Sequence, residues 1–172
     1  MTFIGIDPGL TGACVFLHED GTVEFVDTPT IRQGGNAKQV YDRALMATTL
    51  RQAAHEMDCH VYIERVHAMP KQGVASSFSF GTGYGVWLGI IAAFQLPHTL
   101  VEPARWTKEL LRDLPKGDGR SVIRATELYP KEAPHLRTER GRLLHGRADA
   151  LLLAHYGKIQ SERALNDFLI NS

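Results

Sequence analysis

Three carboxylates stand where packing gives them nothing to do. Asp7 closes the apolar run Thr2-Phe3-Ile4-Gly5-Ile6 and is followed by Pro8-Gly9. Glu64 closes Val61-Tyr62-Ile63 in the same way, and Asp149 sits within Ala148-Asp149-Ala150-Leu151-Leu152-Leu153-Ala154. A charge buried without a partner is costly. If the strands ending at Asp7 and Glu64 are parallel neighbours, the two charges repel unless a cation lies between them. A hard, oxygen-rich cluster of this kind suits Mg²⁺ or Mn²⁺ rather than zinc. Two such ions can activate a water and stabilise the leaving oxygen of a phosphodiester. Each residue also has a plainer reading. Asp7 is then a turn residue, Glu64 a salt-bridge partner of Arg65 or Lys71, and Asp149 a helix-start acid favoured by the dipole.

His145 lies four residues before Asp149, on the same face of a helix. It reads as a fourth ligand, as a base positioning water, or as an exposed cap. The other histidines lack zinc-site spacing. Gly81-Thr82-Gly83-Tyr84-Gly85 lacks Gly-Lys-Ser/Thr and follows no strand, so it reads as close helix packing rather than a phosphate loop. Arg65 and Lys71 flank Glu64, while Lys116, Arg120 and Arg124 follow at intervals of four. Beside a metal site they would neutralise phosphates; elsewhere they are ordinary surface charge.

The elements that must carry these groups are readable. Residues 2–7, 12–17 and 22–27 form an antiparallel meander, with Asp20-Gly21 as a hairpin turn. Residues 28–35 read as a loop, and Asn36 as the cap of a helix to about Met57. A strand at 60–64, a small-residue apolar helix near 75–95, a strand at 99–101 and a helix behind Pro103 follow. Asp118 or Ser121 would cap the next helix, and 131–142 reads as loop. A helix from His145 should stop at Gly157, with a short one at 160–169. The order is that of one α/β layered domain with a mixed sheet and two crossovers.

Length and composition agree. The 172 residues, 44% hydrophobic and 22% charged, suit a single domain with its own core. Two cysteines, Cys14 and Cys59, are too few for a disulfide scaffold and imply a reduced cytoplasmic setting. No signal peptide is visible, and polar breaks interrupt every apolar run short of 18 residues, so no membrane span is expected. The net charge is zero, but residues 101–150 carry 11 Lys/Arg against 8 Asp/Glu, which weakly permits a nucleic-acid partner.

Taken together, Gly5-Ile6-Asp7-Pro8-Gly9, Ile63-Glu64-Arg65-Val66-His67-Ala68-Met69 and Ala148-Asp149-Ala150-Leu151 resemble the RuvC-type Holliday-junction resolvases, especially the compact phage members. Gly83 to Ala93 looks like that family's long helix, and Val101-Glu102-Pro103-Ala104-Arg105-Trp106-Thr107-Lys108 like the strand and helix after it. The resemblance spans nearly the whole chain in order. It implies a ribonuclease-H-like three-layer fold, a five-stranded mixed sheet with helices on both faces, over residues 1–172. It implies a homodimeric, two-metal crossover junction endonuclease of a bacterial or phage-infected cell, with Mg²⁺, replaceable by Mn²⁺, and a four-way DNA junction as partner. Asp7, Glu64, Asp149 and His145 would hold two ions, and Arg65, His67, Lys71, Lys116, Arg120 and Arg124 would meet DNA. Many bacterial members have an acid or His three residues before the last Asp; here that residue is Gly146. His67 replaces a base-stacking aromatic. The helix at 78–94 is expected to form the dimer interface, anchored by Phe80, Trp87 and Ile91, or else to be a core helix. The alternatives are a related nuclease acting on other branched DNA or RNA–DNA hybrids, and a non-catalytic junction-binding protein. The Asp-x-Gly opening of sugar kinases and actin is a weaker analogy, because a chain this short lacks a second lobe to enclose ATP.

Overall fold

A computed structural model describes residues 1–34, 38–56, 58–65 and 73–171. Five strands build the main sheet: β1 (Thr2–Asp7), β2 (Ala13–His18), β3 (Val23–Asp27), β6 (Cys59–Glu64) and β7 (His98–Val101), in the order β3-β2-β1-β6-β7. The first three are antiparallel, while β6 and β7 are parallel to β1. Two crossovers produce this arrangement, as the element order demands. α1 (Arg43–Glu56) links the meander to β6, and α2 (Val74–Ala93) links β6 to β7. α3 (Pro103–Leu111), α4 (Arg120–Leu128) and α5 (His145–Asn171) follow.

Strand alternation sorts the core into two layers. Ile4, Ile6, Val61 and Ile63 face Met46 and Leu50 of α1 and Trp87 and Ile91 of α2. Phe3 and Tyr62 face the other way, toward α5 and its neighbours Trp106, Leu110 and Val122. By the same parity Asp7 and Glu64 belong to the α5 side of the sheet. The mixed sheet is the α/β layering the element order predicts, and its five strands with helices on both faces make the three-layer architecture the resemblance implies.

The differences are local and each has a cause. The segment after β3 is not a plain loop. β4 (Thr30–Gln33) pairs with β5 (Lys38–Tyr41) as a separate antiparallel hairpin. α1 therefore starts later than expected, at Arg43, with Asp42 as its cap: Leu45 N–H donates to Asp42 Oδ1 at 3.0 Å. Asn36, the expected cap, lies outside the described residues. Gly119, not Asp118 or Ser121, occupies the cap position of α4. Part of the expected loop at 131–142 is a 3-10 helix over Pro130–Leu136. Gly157 does not stop the last helix. α5 runs unbroken for 27 residues, and a Cβ at 157 would lie 2.3 Å from the Tyr62 ring. That glycine serves close helix–sheet packing, not termination.

Trp87 and Ile91 are fully buried in the core, so neither anchors an outer face, while Phe80 is partly buried beside the Asp7 cleft. α2 is nevertheless long and apolar enough to cross a membrane by length and composition, its serines notwithstanding, and most of it is not buried. Gly81, Gly85 and Gly89 line its exposed side. Cys14 and Cys59 are both free and buried.

Candidate functional site

Asp7 and Glu64 end parallel strands whose register runs Ile6 opposite Ile63, so their Cα atoms are adjacent across one strand spacing, about 4.8 Å. α5 brings Asp149 to them from above the sheet. A Cβ on Gly5 would collide with the Ala150 carbonyl, which shows how closely the first turns of that helix lie on β1. Arg147 fixes the helix start from outside, donating from Nε and Nη2 to Asp27 at 2.6 and 2.8 Å and from Nη1 to the His135 carbonyl at 2.9 Å.

The three carboxylates feel one another. Burial, then the charges of Asp149 and Glu64, push Asp7 up to about 7 against the Gly9 N–H that holds it. Burial also raises Glu64 and Asp149, and Asp149 adds to the rise at Glu64. Two neighbours restrain them. Trp106 Nε1 donates to Glu64 Oε1 at 3.0 Å, and the Ser121 hydroxyl bonds Asp149. Asp149 Oδ1 is buried and has no hydrogen-bond partner among the described residues. Among the described residues no three His, Cys, Asp or Glu side chains already close on a common point. The donor set is nonetheless one that a hard cation would satisfy: desolvated, mutually repelling oxygens, one of them orphaned.

His145 begins α5, is exposed, and its charge favours ionised Asp149. Gly146 is closed to any side chain, since its Cβ would lie 2.2 Å from the Thr11 carbonyl and 2.6 Å from Gly12 Cα. A ligand three residues before Asp149 therefore has no room on this backbone.

The basic residues divide. Arg65 pairs with Glu102 at 3.0 Å rather than with Glu64, and remains half exposed. Arg124 is turned inward, bonded to Asp113, Glu127 and the Leu110 carbonyl, so its guanidinium is occupied. Lys116 is exposed before α4, and Arg120 at its first turn acts electrostatically on Asp149. His67 and Lys71 lie outside the described residues. Sequence reasoning missed Trp106 and Ser121 as supports of the site. An indole whose N–H needs a buried acceptor was the available sign for the first, while Ser121 was legible only as a cap. It also missed Tyr41, whose hydroxyl donates to the Pro8 carbonyl at 3.3 Å and ties the β4–β5 hairpin to the end of β1.

No family model matches the chain. Two solved structures match nearly its whole length. A Thermus thermophilus RuvC structure aligns with a TM-score of 0.56 and 19% identity over 93% of this chain and 97% of that one. T. thermophilus RuvC in complex with Holliday junction substrate aligns with a TM-score of 0.60 and 18% identity, over 92% and 96%. The fold is that of RuvC. It is the ribonuclease-H-like fold, here with the small β4–β5 sheet beside the cleft at Asp7. Among curated proteins, the chloroplastic Holliday junction resolvase MOC1 of Chlamydomonas reinhardtii is 29% identical over 118 residues, 65% of this chain. The chain spans only 13% of that protein's length.

Proposed function

We propose that this chain is a metal-dependent endonuclease that resolves four-way DNA junctions. What supports the reading is that Asp7, Glu64 and Asp149 lie near enough for Asp149 to raise the other two, that burial raises all three, and that one carboxylate oxygen has no hydrogen-bond partner among the described residues. The RuvC fold and the resolvase name of the MOC1 relative support the substrate class. Asp7, Glu64 and Asp149 would hold divalent ions, Mg²⁺ or Mn²⁺, with His145 at the rim. Such ions would supply an activated water and charge neutralisation at the scissile phosphate. The chain's own residues do the rest. Trp106 and Ser121 aim two of the carboxylates, and Arg120 offers positive charge beside Asp149.

The paired-nick reading requires two copies. The exposed side of α2, with Gly81, Gly85 and Gly89 in line on an apolar helix, supports a self-associating face on which two backbones approach closely. This face takes the place of Trp87 and Ile91, which burial removes as anchors.

Cleavage of mobile and immobile synthetic four-way junctions in Mg²⁺, mapped on all four strands, tests the reading. Symmetric paired nicks are expected. Uncut junctions beside cleaved RNA–DNA hybrids or forks would point to the related nuclease instead, and binding without cleavage in either Mg²⁺ or Mn²⁺ would point to a junction-binding protein.

A further inference from the structure

The β4–β5 hairpin stands directly against the cleft at Asp7, one of the three carboxylates of the candidate site. The cleft at Asp7 and the groove between this hairpin and the start of α2 are continuous, sharing Lys38, Tyr41, Ala75 and Ser79 in their walls. The groove holds about 460 Å³. Cross-strand pairing of Ile31 with Val40 and of Gln33 with Lys38 puts these four side chains on one face of the hairpin, and all four line the groove. Arg43, at the first turn of α1, and Phe78, on α2, complete its rim. Lys38 and Arg43 are exposed, and among the described residues they carry no ion pair and no carboxylate lines the groove. This basic pair lies in the part of the chain with the most negative charge balance, where residues 1–60 hold 8 Asp/Glu against 4 Lys/Arg. Phe78 is 77% exposed, an unusual setting for a phenylalanine unless something stacks on it.

We propose that this groove carries one DNA strand away from the carboxylates, its phosphates against Lys38 and Arg43 and a base against Phe78. The inference rests on the nuclease reading and extends it: the hairpin is a second wall of the DNA path, separate from Arg65, Lys116 and Arg120. Charge complementarity and continuity with the cleft favour a nucleic-acid strand over a second copy of the chain. An exposed aromatic between cationic side chains is the usual arrangement for gripping unpaired nucleotides without reading sequence.

The test is a salt titration with the 172-residue chain and a fluorescent synthetic four-way junction in Ca²⁺. Removing one cation that neutralises a phosphate should flatten the dependence of log affinity on log salt by about 0.7 to 0.9. Lys38→Ala/Arg43→Ala is therefore expected to flatten it by about 1.4 to 1.8 and to weaken binding at low salt by roughly ten-fold. Phe78→Ala should weaken binding roughly five-fold or more with the slope unchanged, and Phe78→Trp should restore it. Arg51→Ala removes one charge from an exposed position of α1 outside the groove and should leave the slope as it is. Wild-type slope and affinity in the double variant, while the wild-type chain binds and nicks the junction, would overturn the inference and leave the nuclease reading standing. A wild-type chain that neither binds nor nicks the junction overturns both. A double variant that shifts from dimer to monomer in sedimentation with an unchanged salt slope would make the groove an interface between copies, and overturns the inference as well.

Discussion

Replacing Asp7 by asparagine removes a charge that the folded chain holds at a cost. Its carboxyl is raised to about 7 from an ordinary 3.8, so the ionised form is the one folding disfavours. Stability from this group is complete below about pH 4 and is lost as the pH rises toward 7. In EDTA, Asp7→Asn should therefore melt higher than wild type at pH 8, by an amount equivalent to roughly 2–4 kcal/mol, with the gain vanishing near pH 4. Adding Mg²⁺ should raise the wild-type melting temperature and leave the variant unmoved, and junction nicking should be abolished while binding persists. A variant less stable than wild type at pH 8 would contradict the electrostatic account. Trp106 allows a second test. Trp106→Phe keeps an aromatic in the core but removes the hydrogen bond to Glu64. The Mg²⁺ concentration giving half-maximal nicking should rise about ten-fold or more, with junction affinity in Ca²⁺ little changed. An unaltered Mg²⁺ requirement would show that the indole only fills space. The placement of Asp7 and Glu64 side by side was visible in the sequence, because a lone acid ending an apolar strand is locally out of place. Trp106 and Ser121 were not, because their partners lie 42 and 28 positions away and only the fold brings them together.

At the scale of elements, the first turns of α5 decide where Asp149 sits, and they have no slack. A variant built on the bacterial pattern would place an acid at position 146. Here Gly146→Asp must push α5 off the Thr11–Gly12 backbone, an overpacking cost of about 1–3 kcal/mol or more. Lower melting temperature and lower nicking are expected together, rather than a gain of activity. A stable, more active variant would mean that the helix can shift freely. The same helix shows where sequence signals mislead. Gly157 resembles a stop, and only the Tyr62 ring pressed against it explains why the helix continues. The hairpin at 30–41 escaped notice for a related reason. Its strands have four residues each, with three of the first and two of the second exposed, too short to show an alternating pattern. The main strands were legible because their burial is nearly continuous.

For the whole molecule, the open matter is which apolar surfaces meet partners. The apolar character of α2 was plain from its residues, but an all-round apolar helix does not say which side is core. Trp87 and Ile91 went inward, and the glycine line stayed outside. Gly85→Glu puts a charge on that outer line without touching the core, since nothing lies within 4 Å of a Cβ there. If two copies pair through this face, the variant should sediment as a monomer, keep its melting profile at low concentration, and nick junctions singly rather than in pairs. A dimer that persists would move the interface elsewhere.

Both native thiols are sealed in the interior, and burial pushes their ionisation upward, so neither presents a reactive thiolate to reagents in solution. A third sulfur, introduced at an exposed position of the hairpin outside the groove such as Arg32, would then be the preferred target for a maleimide dye or spin label. The wild-type chain thus comes with a quiet spectroscopic background, and distances between labelled hairpin and labelled oligonucleotide become measurable without first stripping cysteines from the core.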